Sequence, residues 1–434
     1  MNRLDGGPAL KRTGGRAPMA AKDWITAYKL GYQDHLFSIQ ILLVAFGALV
    51  TVPILTGLDP AVALFTAGVA TLIFHFFSKR QIPVFLASSF AYTAPIMVAT
   101  QTWGISAALG GLVAAGVVYM AIGGIIYWKG RNIIQTLFPP VVVGPIIMVI
   151  GLMLVPVAVS MALGKSNPAH LIPQKVGLLI ALISLATTIL VFLVARGTLK
   201  LIPIICGLIA GYLVSIPFGI IDFSVVAGAP WIAVPKFAAP QFNIDAVIFL
   251  IPATVAPVIA HFGDILAIGE VADRDYLKEP GIHRTLLGNG AANTIAALVG
   301  GPPVRIYAEI TGAVTIFKKW QPAVMVWAAV FAMVLSFLGK LSALFQSIPQ
   351  PVSGGILILF FGVLVVAGIN CLLKVQTELM EFRNILVVLI ILVSGIGGIT
   401  FSTGALTLKG VALAILTGVI LNLILPGKKR QEDS

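Results

Sequence analysis

The feature that most limits what this chain can become is a succession of apolar runs, each about the length of a bilayer crossing, joined by short polar or basic segments. Such runs lie near residues 37–57, 60–77, 83–100, 105–127, 138–162, 174–195, 201–220, 246–269, 285–299, 302–317, 322–339, 352–372, 384–400 and 405–426. Charged residues make up 10% of the 434-residue chain and hydrophobic residues 59%, whereas a soluble domain carries roughly 25% charged residues. The expectation is an all-α polytopic membrane protein with fourteen transmembrane segments. Residues 340–351 read as a short interfacial segment, and 221–244 as an external loop bearing Trp231.

The net charge of +12 invites a nucleic-acid partner, but its distribution argues for topology instead. With a cytoplasmic N-terminus and fourteen crossings, 22 of the 28 Lys and Arg residues fall on the cytoplasmic side. This asymmetry is that of the positive-inside rule and places both termini in the cytoplasm. The first 35 residues lack the apolar core of a signal peptide, and Asp23–Phe37 reads as a short interfacial helix. Cys206 and Cys371 sit in apolar surroundings and suggest no disulfide framework. Gly164-Lys165-Ser166 has Val159 where a phosphate-binding loop needs glycine. No metal-ligand spacing, nucleophile–base pair or cofactor motif emerges, so an enzyme is not expected.

Almost every charge placed inside apolar sequence lies between residues 245 and 319. Asp264 stands deep in one run, and Arg305 and Glu309 follow Gly-Gly-Pro-Pro at 300–303 in the next. Proline lacks an N–H and crowds the preceding turn, so a proline pair breaks a regular helix. In lipid, broken backbone is tolerated only where protein or a water-lined cavity satisfies the freed groups. An ionisable side chain near the bilayer centre costs at least about 2.5–3.5 kcal/mol, which marks these three residues as functional candidates. The third run, with Pro83, Ser88, Ser89 and Pro95, is interrupted similarly. Counted as seven plus seven, the third and tenth runs hold corresponding positions, as at an inverted-repeat transporter site. Each is expected to be a short extended piece entering a half-helix whose N-terminus aims N–H groups at the site. Two proline-kinked structural helices are the alternative.

Several stretches resemble the nucleobase–ascorbate transporter family, its uracil and uracil/xanthine permeases in particular. They are HLF (35–37), FGALVTVP (46–53), KRQIPVFLASSFAYTAPI (79–96), LFPP (137–140), HFGDILAIG (261–269), DYLKEPGIHRTLLGNG (275–290) and GPPVRIYAEITGAV (301–314). The resemblance implies two inverted seven-span repeats and proton- or sodium-coupled symport with elevator-type movement, in a homodimer, with no cofactor. It divides the chain into an N-terminal tail (1–35), core (36–132), gate (133–222), external loop (223–244), core (245–345), gate (346–426) and C-terminal tail (427–434). By position it assigns Phe90 to the base-contacting aromatic of the third span, Glu309 to the carboxylate that accepts from ring N–H groups, and Tyr307 and Ala308 to the backbone before it. Asp264 falls where members carry Asp or His, a position linked to coupling. This chain departs from the family pattern at Ala260, where uracil permeases have a second substrate-binding Glu. It departs also at Arg305, at Ile310, at Phe317 before Lys318, and at Phe361-Gly362 in place of Tyr-Gly.

The chemistry fits a pyrimidinedione or xanthine, a flat ring with alternating N–H donors and carbonyl acceptors. Such a ring needs a carboxylate, backbone N–H groups and an aromatic slot, which Glu309, the half-helix termini and Phe90 supply. Glu309 also lies four residues after Arg305 and is a candidate for pairing with it. His261 precedes Asp264 by three residues, so the two approach one helix face and form a candidate proton-coupling pair; a fixed structural role is the alternative for each. His75 reads more simply as a helix–helix contact. Loss of an acid at Ala260 and gain of a base at Arg305 open a second reading, a carrier, exchanger or channel for a small anion or anionic purine.

Overall fold

The computed structural model describes residues 31–130, 139–165, 172–317, 321–373, 375, 380–403 and 406–425. Most of the first tail, the part of the Asp23–Phe37 segment up to residue 30, and the last tail lie outside the described residues. The protein is mostly helical. The first half contains α1 (Tyr32–Thr56), α2 (Pro60–Phe77), the strand β1 (Leu86–Ser88), α3 (Thr93–Trp103), α4 (Ile105–Lys129), α5 (Pro140–Ala162), α6 (Gln174–Val194) and α7 (Pro203–Ser215). After α8 (Phe223–Gly228) come α9 (Ile244–Leu250), α10 (Val255–Ala272), α11 (Ile282–Leu298), β2 (Val304–Ile306), α12 (Ala308–Phe317) and α13 (Pro322–Ser336). The chain continues through α14 (Gly339–Gln346), α15 (Gln350–Leu373), α16 (Phe382–Ile396), β3 (Thr400–Thr403), β4 (Leu406–Lys409) and α17 (Val411–Ile424).

Among the described residues, seven helical segments are long and apolar enough to cross a bilayer, with α9 and α10 counted as one kinked segment, Ile244–Ala272. Local chemistry sets their ends. At the start of α2, Asp59 accepts hydrogen bonds from Ala61 N (2.7 Å) and Val62 N (3.2 Å), with Pro60 at the first helical position, where its missing N–H costs nothing. The expected run 201–220 is helical only over Pro203–Ser215. The run 405–426 begins as strand, because β3 and β4 form a hairpin that the sequence reading absorbed into its last two spans.

The helices pack in two dense groups. In one, α11 lies along α4 and α2, and α13 along α2 and α1. In the other, α15 lies along α5 and α6, which packs on α7, while α16 and α17 pack on each other and on α5. The stretch 223–244 forms α8 and is stitched to the α13–α14 junction: Ile232 bridges Leu338, and Lys340 Nζ donates to the Val226 and Ala227 carbonyls at 2.8 and 2.7 Å.

Both interrupted runs are broken as expected, and their extended pieces pair with each other. β1 and β2 form an antiparallel ribbon with Leu86 opposite Ile306, Ala87 opposite Arg305 and Ser88 opposite Val304. Ser89 N donates to Pro303 O at 2.8 Å and extends it. The break needs glycine: Gly300 has φ +95°, and a Cβ on Gly301 would sit 2.2 Å from Thr66 Oγ1.

A two-stranded ribbon leaves both outer edges unpaired, and backbone groups at membrane depth require partners. Side chains of the preceding helices supply them. On the β1 side, Thr71 Oγ1 accepts from Leu86 N (2.9 Å) and His75 Nε2 bonds the Val84 carbonyl (2.9 Å). On the β2 side, Asn293 Oδ1 accepts from Val304 N (2.7 Å) and Asn289 Nδ2 donates to Val304 O (3.3 Å). Each cap uses two residues four apart on one helix, α2 or α11, so both project toward the same edge.

Candidate functional site

The ribbon delivers the chain into two short helices. From β1 the backbone passes through the single turn Phe90–Tyr92 into α3; from β2 it passes through Tyr307 into α12. Phe90 and Glu309 therefore stand at the starts of the two half-helices. Alternation along β2 buries Val304 and Ile306 and sends Arg305 the other way. Its guanidinium meets Asp264, which α10 presents from the facing span. Arg305 Nη2 donates to both carboxylate oxygens, at 3.0 Å to Oδ1 and 2.7 Å to Oδ2. The pair is largely withdrawn from water, the side chains being 26% exposed at Arg305 and 12% at Asp264.

Glu309 is placed differently. Helix α12 starts at Ala308, so Arg305 is on the strand and not one helical turn below Glu309. No ion pair joins them. Glu309 is nonetheless close enough to both Arg305 and Asp264 for their charges to interact. Its side chain is exposed while Tyr307 and Ile310 beside it are buried, so the carboxylate faces an open space next to the ion pair. A Cβ added to Gly263 or Gly312 would meet nothing within 4 Å, which shows room on both flanking helices. Ala260, one turn before Asp264 on α10, is partly buried.

The remaining candidates separate. Phe90 stacks on Phe360 of α15, ring centroids 3.7 Å apart and planes inclined by 31°. The expected Phe361 is instead fully buried in the core, because adjacent residues on a helix point about 100° apart. Phe360, which the sequence reading passed over, is the aromatic of α15 that meets Phe90. His261 is buried and bonds Thr285 Oγ1 through Nε2 at 2.9 Å, away from Asp264. Tyr119 of α4 reaches α10 and donates to Pro257 O at 3.4 Å, beside the His261 ring. Neither Tyr119 nor Asn289 nor Asn293 was legible as part of this region, since a lone tyrosine or asparagine in a span carries no spacing signal.

Two cavities lie elsewhere. One of about 440 Å³ is lined by Asp59, Lys236, Gly300 and Gln346 among others. Another of about 290 Å³ lies between Pro95, Met153, Phe249, Ile396 and Val411. Because Asp264 neutralises Arg305, the excess positive charge on which the anion-carrier reading rested is absent from the pair.

The Permease family model (Xan_ur_permease) matches residues 32–404. A probable uracil permease of Haemophilus influenzae is 46% identical over 91% of this chain and 95% of its own length. A uracil permease of Bacillus caldolyticus is 40% identical over 92% of this chain and 93% of its own. Among solved structures, the transmembrane domain of the cyanobacterial bicarbonate transporter BicA superposes with a TM-score of 0.63 over 90% of this chain and 97% of that one, at 16% identity, and so shares the fold. A multi-pass helical membrane protein with two broken spans paired at its centre, matched along most of its length by these permeases, belongs to the xanthine–uracil Permease family of the nucleobase–ascorbate transporters, and is a transporter of small molecules rather than an enzyme.

Proposed function

We propose that the chain imports uracil, xanthine or a related nucleobase by proton-coupled symport. The observation that supports this reading is the Asp264–Arg305 pair with Glu309 within charge range of both, beside a ribbon whose other strand leads into Phe90. An aromatic face, an exposed carboxylate and two helix starts answer the flat body, the ring N–H and the carbonyls of such a base. Backbone at Tyr307 and Ala308 contributes beside Glu309. In this reading Phe360 closes the aromatic slot opposite Phe90, and the two rings, in contact at 3.7 Å, part to admit the base.

Fourteen spans in two inverted seven-span repeats are part of the proposal, with residues 36–132 and 245–345 as a core moving against a gate of 133–222 and 346–426. The matched edge caps on α2 and α11 support it, being alike in spacing and in what they hold. A homodimer in the cytoplasmic membrane with both termini cytoplasmic completes it. Asp264 couples transport to the proton through its pairing with Arg305, which a base bound at Glu309 perturbs; His261 supports that region through Thr285. A sodium ion in place of the proton is distinguished by the same assay.

The test is uptake of labelled uracil into proteoliposomes under an inward pH gradient, with and without sodium, and with xanthine as competitor. Uptake above the external concentration that collapses with a protonophore is expected. Glu309→Gln should abolish saturable binding while leaving the protein folded, and Asp264→Asn should leave exchange but end accumulation. Full accumulation by Asp264→Asn would remove the coupling role, and wild-type vesicles that take up no base would end the nucleobase reading.

A further inference from the structure

Arg305 uses only part of its hydrogen-bonding capacity within the chain. A guanidinium carries five N–H donors. Both contacts to Asp264 come from Nη2. Nε is buried and has no partner among the described residues, and no hydrogen bond joins Nη1 to another described residue. The side chain is nevertheless 26% exposed. With Nη2 engaged and Nε buried, Nη1 is the nitrogen left with free donors, and the exposed Glu309 lies within charge range of the guanidinium. The strand orients it: Val304 and Ile306 are held in the core on the opposite side of β2, and Asn289 and Asn293 pin the Val304 peptide immediately before it.

We infer that Arg305 is a specificity-determining contact that donates through Nη1 to a substrate carbonyl, beside the ring N–H received by Glu309, so that the site reads an amide edge, N–H next to C=O. This rests on the nucleobase reading above and adds to it the polarity of the recognised edge. A carboxylate acceptor and a guanidinium donor side by side complement N–H and C=O in that order, and a ring edge without a carbonyl leaves the guanidinium unanswered. Asp264 then has a second effect, holding the guanidinium by one nitrogen so that another stays free. Lysine in the same place would keep the charge for Asp264 but present no second nitrogen, because its ammonium is a single point of donation.

The experiment measures binding of uracil, 2-thiouracil and 4-thiouracil by purified full-length protein, wild type and Arg305→Lys, with the unliganded melting temperature of each recorded. Sulfur is a much weaker acceptor than oxygen. In the wild type, replacing the contacted oxygen should weaken binding about tenfold or more, one analogue suffering more than the other. In Arg305→Lys, uracil binding should fall about tenfold or more and the oxygen-over-sulfur preference should shrink to about twofold or less. Should the lysine variant fail to fold, the neutral double variant Asp264→Asn/Arg305→Gln carries the same expectation. Unchanged preference and affinity in a folded variant, or no preference in the wild type, overturns the Arg305 assignment while the nucleobase site stands. Absence of binding of all three bases to the wild type overturns both.

Discussion

Breaking the Asp264–Arg305 pair offers the sharpest stability prediction. Both charges are mostly removed from water, and one nitrogen bridges both carboxylate oxygens at 2.7 and 3.0 Å. Deleting one member of a buried pair typically costs about 3–5 kcal/mol, because the survivor is stranded without compensation. Arg305 keeps 26% of its side chain accessible, so the lower end, about 3 kcal/mol, is expected for Asp264→Asn; this is roughly a hundredfold or more in the folded-to-unfolded ratio. Arg305→Gln should cost less at acidic pH than at neutral pH, since an isolated carboxylate can neutralise itself by taking a proton, whereas a guanidinium stays charged. The double variant should recover about 2 kcal/mol relative to the sum of the single losses. The assay is denaturant unfolding of the three variants in one detergent, read by intrinsic fluorescence and repeated at two pH values. A double variant whose loss equals the sum of the single losses would refute the reasoning.

Two further predictions concern regions outside the ion pair. Asn293→Leu strips Val304 N of its acceptor at 2.7 Å, leaving a buried N–H unsatisfied; a loss of about 2 kcal/mol is expected by the same unfolding assay, with Asn293→Ser milder. Between α10 and α11, burial pushes the Tyr276 phenol up to about 12 from its usual 10. A phenol whose folded value is raised contributes stability that is complete below pH 10 and lost as pH climbs through 12. Unfolding at rising alkaline pH should therefore show a decline over that window that Tyr276→Phe removes, and an identical decline in the variant would exclude Tyr276 as its source.

Apolar length alone made most spans readable: α2, α4 and α6 begin within a residue of where their apolar runs begin, because little else can cross lipid. The two breaks were equally legible, since Gly-Gly-Pro-Pro and the Pro83–Pro95 stretch forbid continuous helix. What could not be read was that the two extended pieces pair with each other. Three-residue strands carry no periodic signal, and their partners lie more than two hundred residues apart. The β3–β4 hairpin was hidden differently: Thr400–Thr403 and Leu406–Lys409 alternate as strands do, but their apolar residues merge with the runs on either side. At the site, sequence spacing offered Glu309, four residues away, as a partner for Arg305. Extending the chain through Ile306 rather than coiling it decides for Asp264. Phe361 and Phe360 differ by one residue, which on a helix is enough to turn one into the core and the other toward Phe90.

The β1–β2 ribbon also has a mechanical meaning. Its rungs tie the two broken runs together, capped at each margin by α2 and α11. A cradle built in this way cannot let cargo in by pulling its two half-helices apart, since that would strip hydrogen bonds where no water waits to replace them. On the proposed function, the part that moves to admit a molecule lies away from the ribbon, and the contact of Phe90 with Phe360 is the candidate seam.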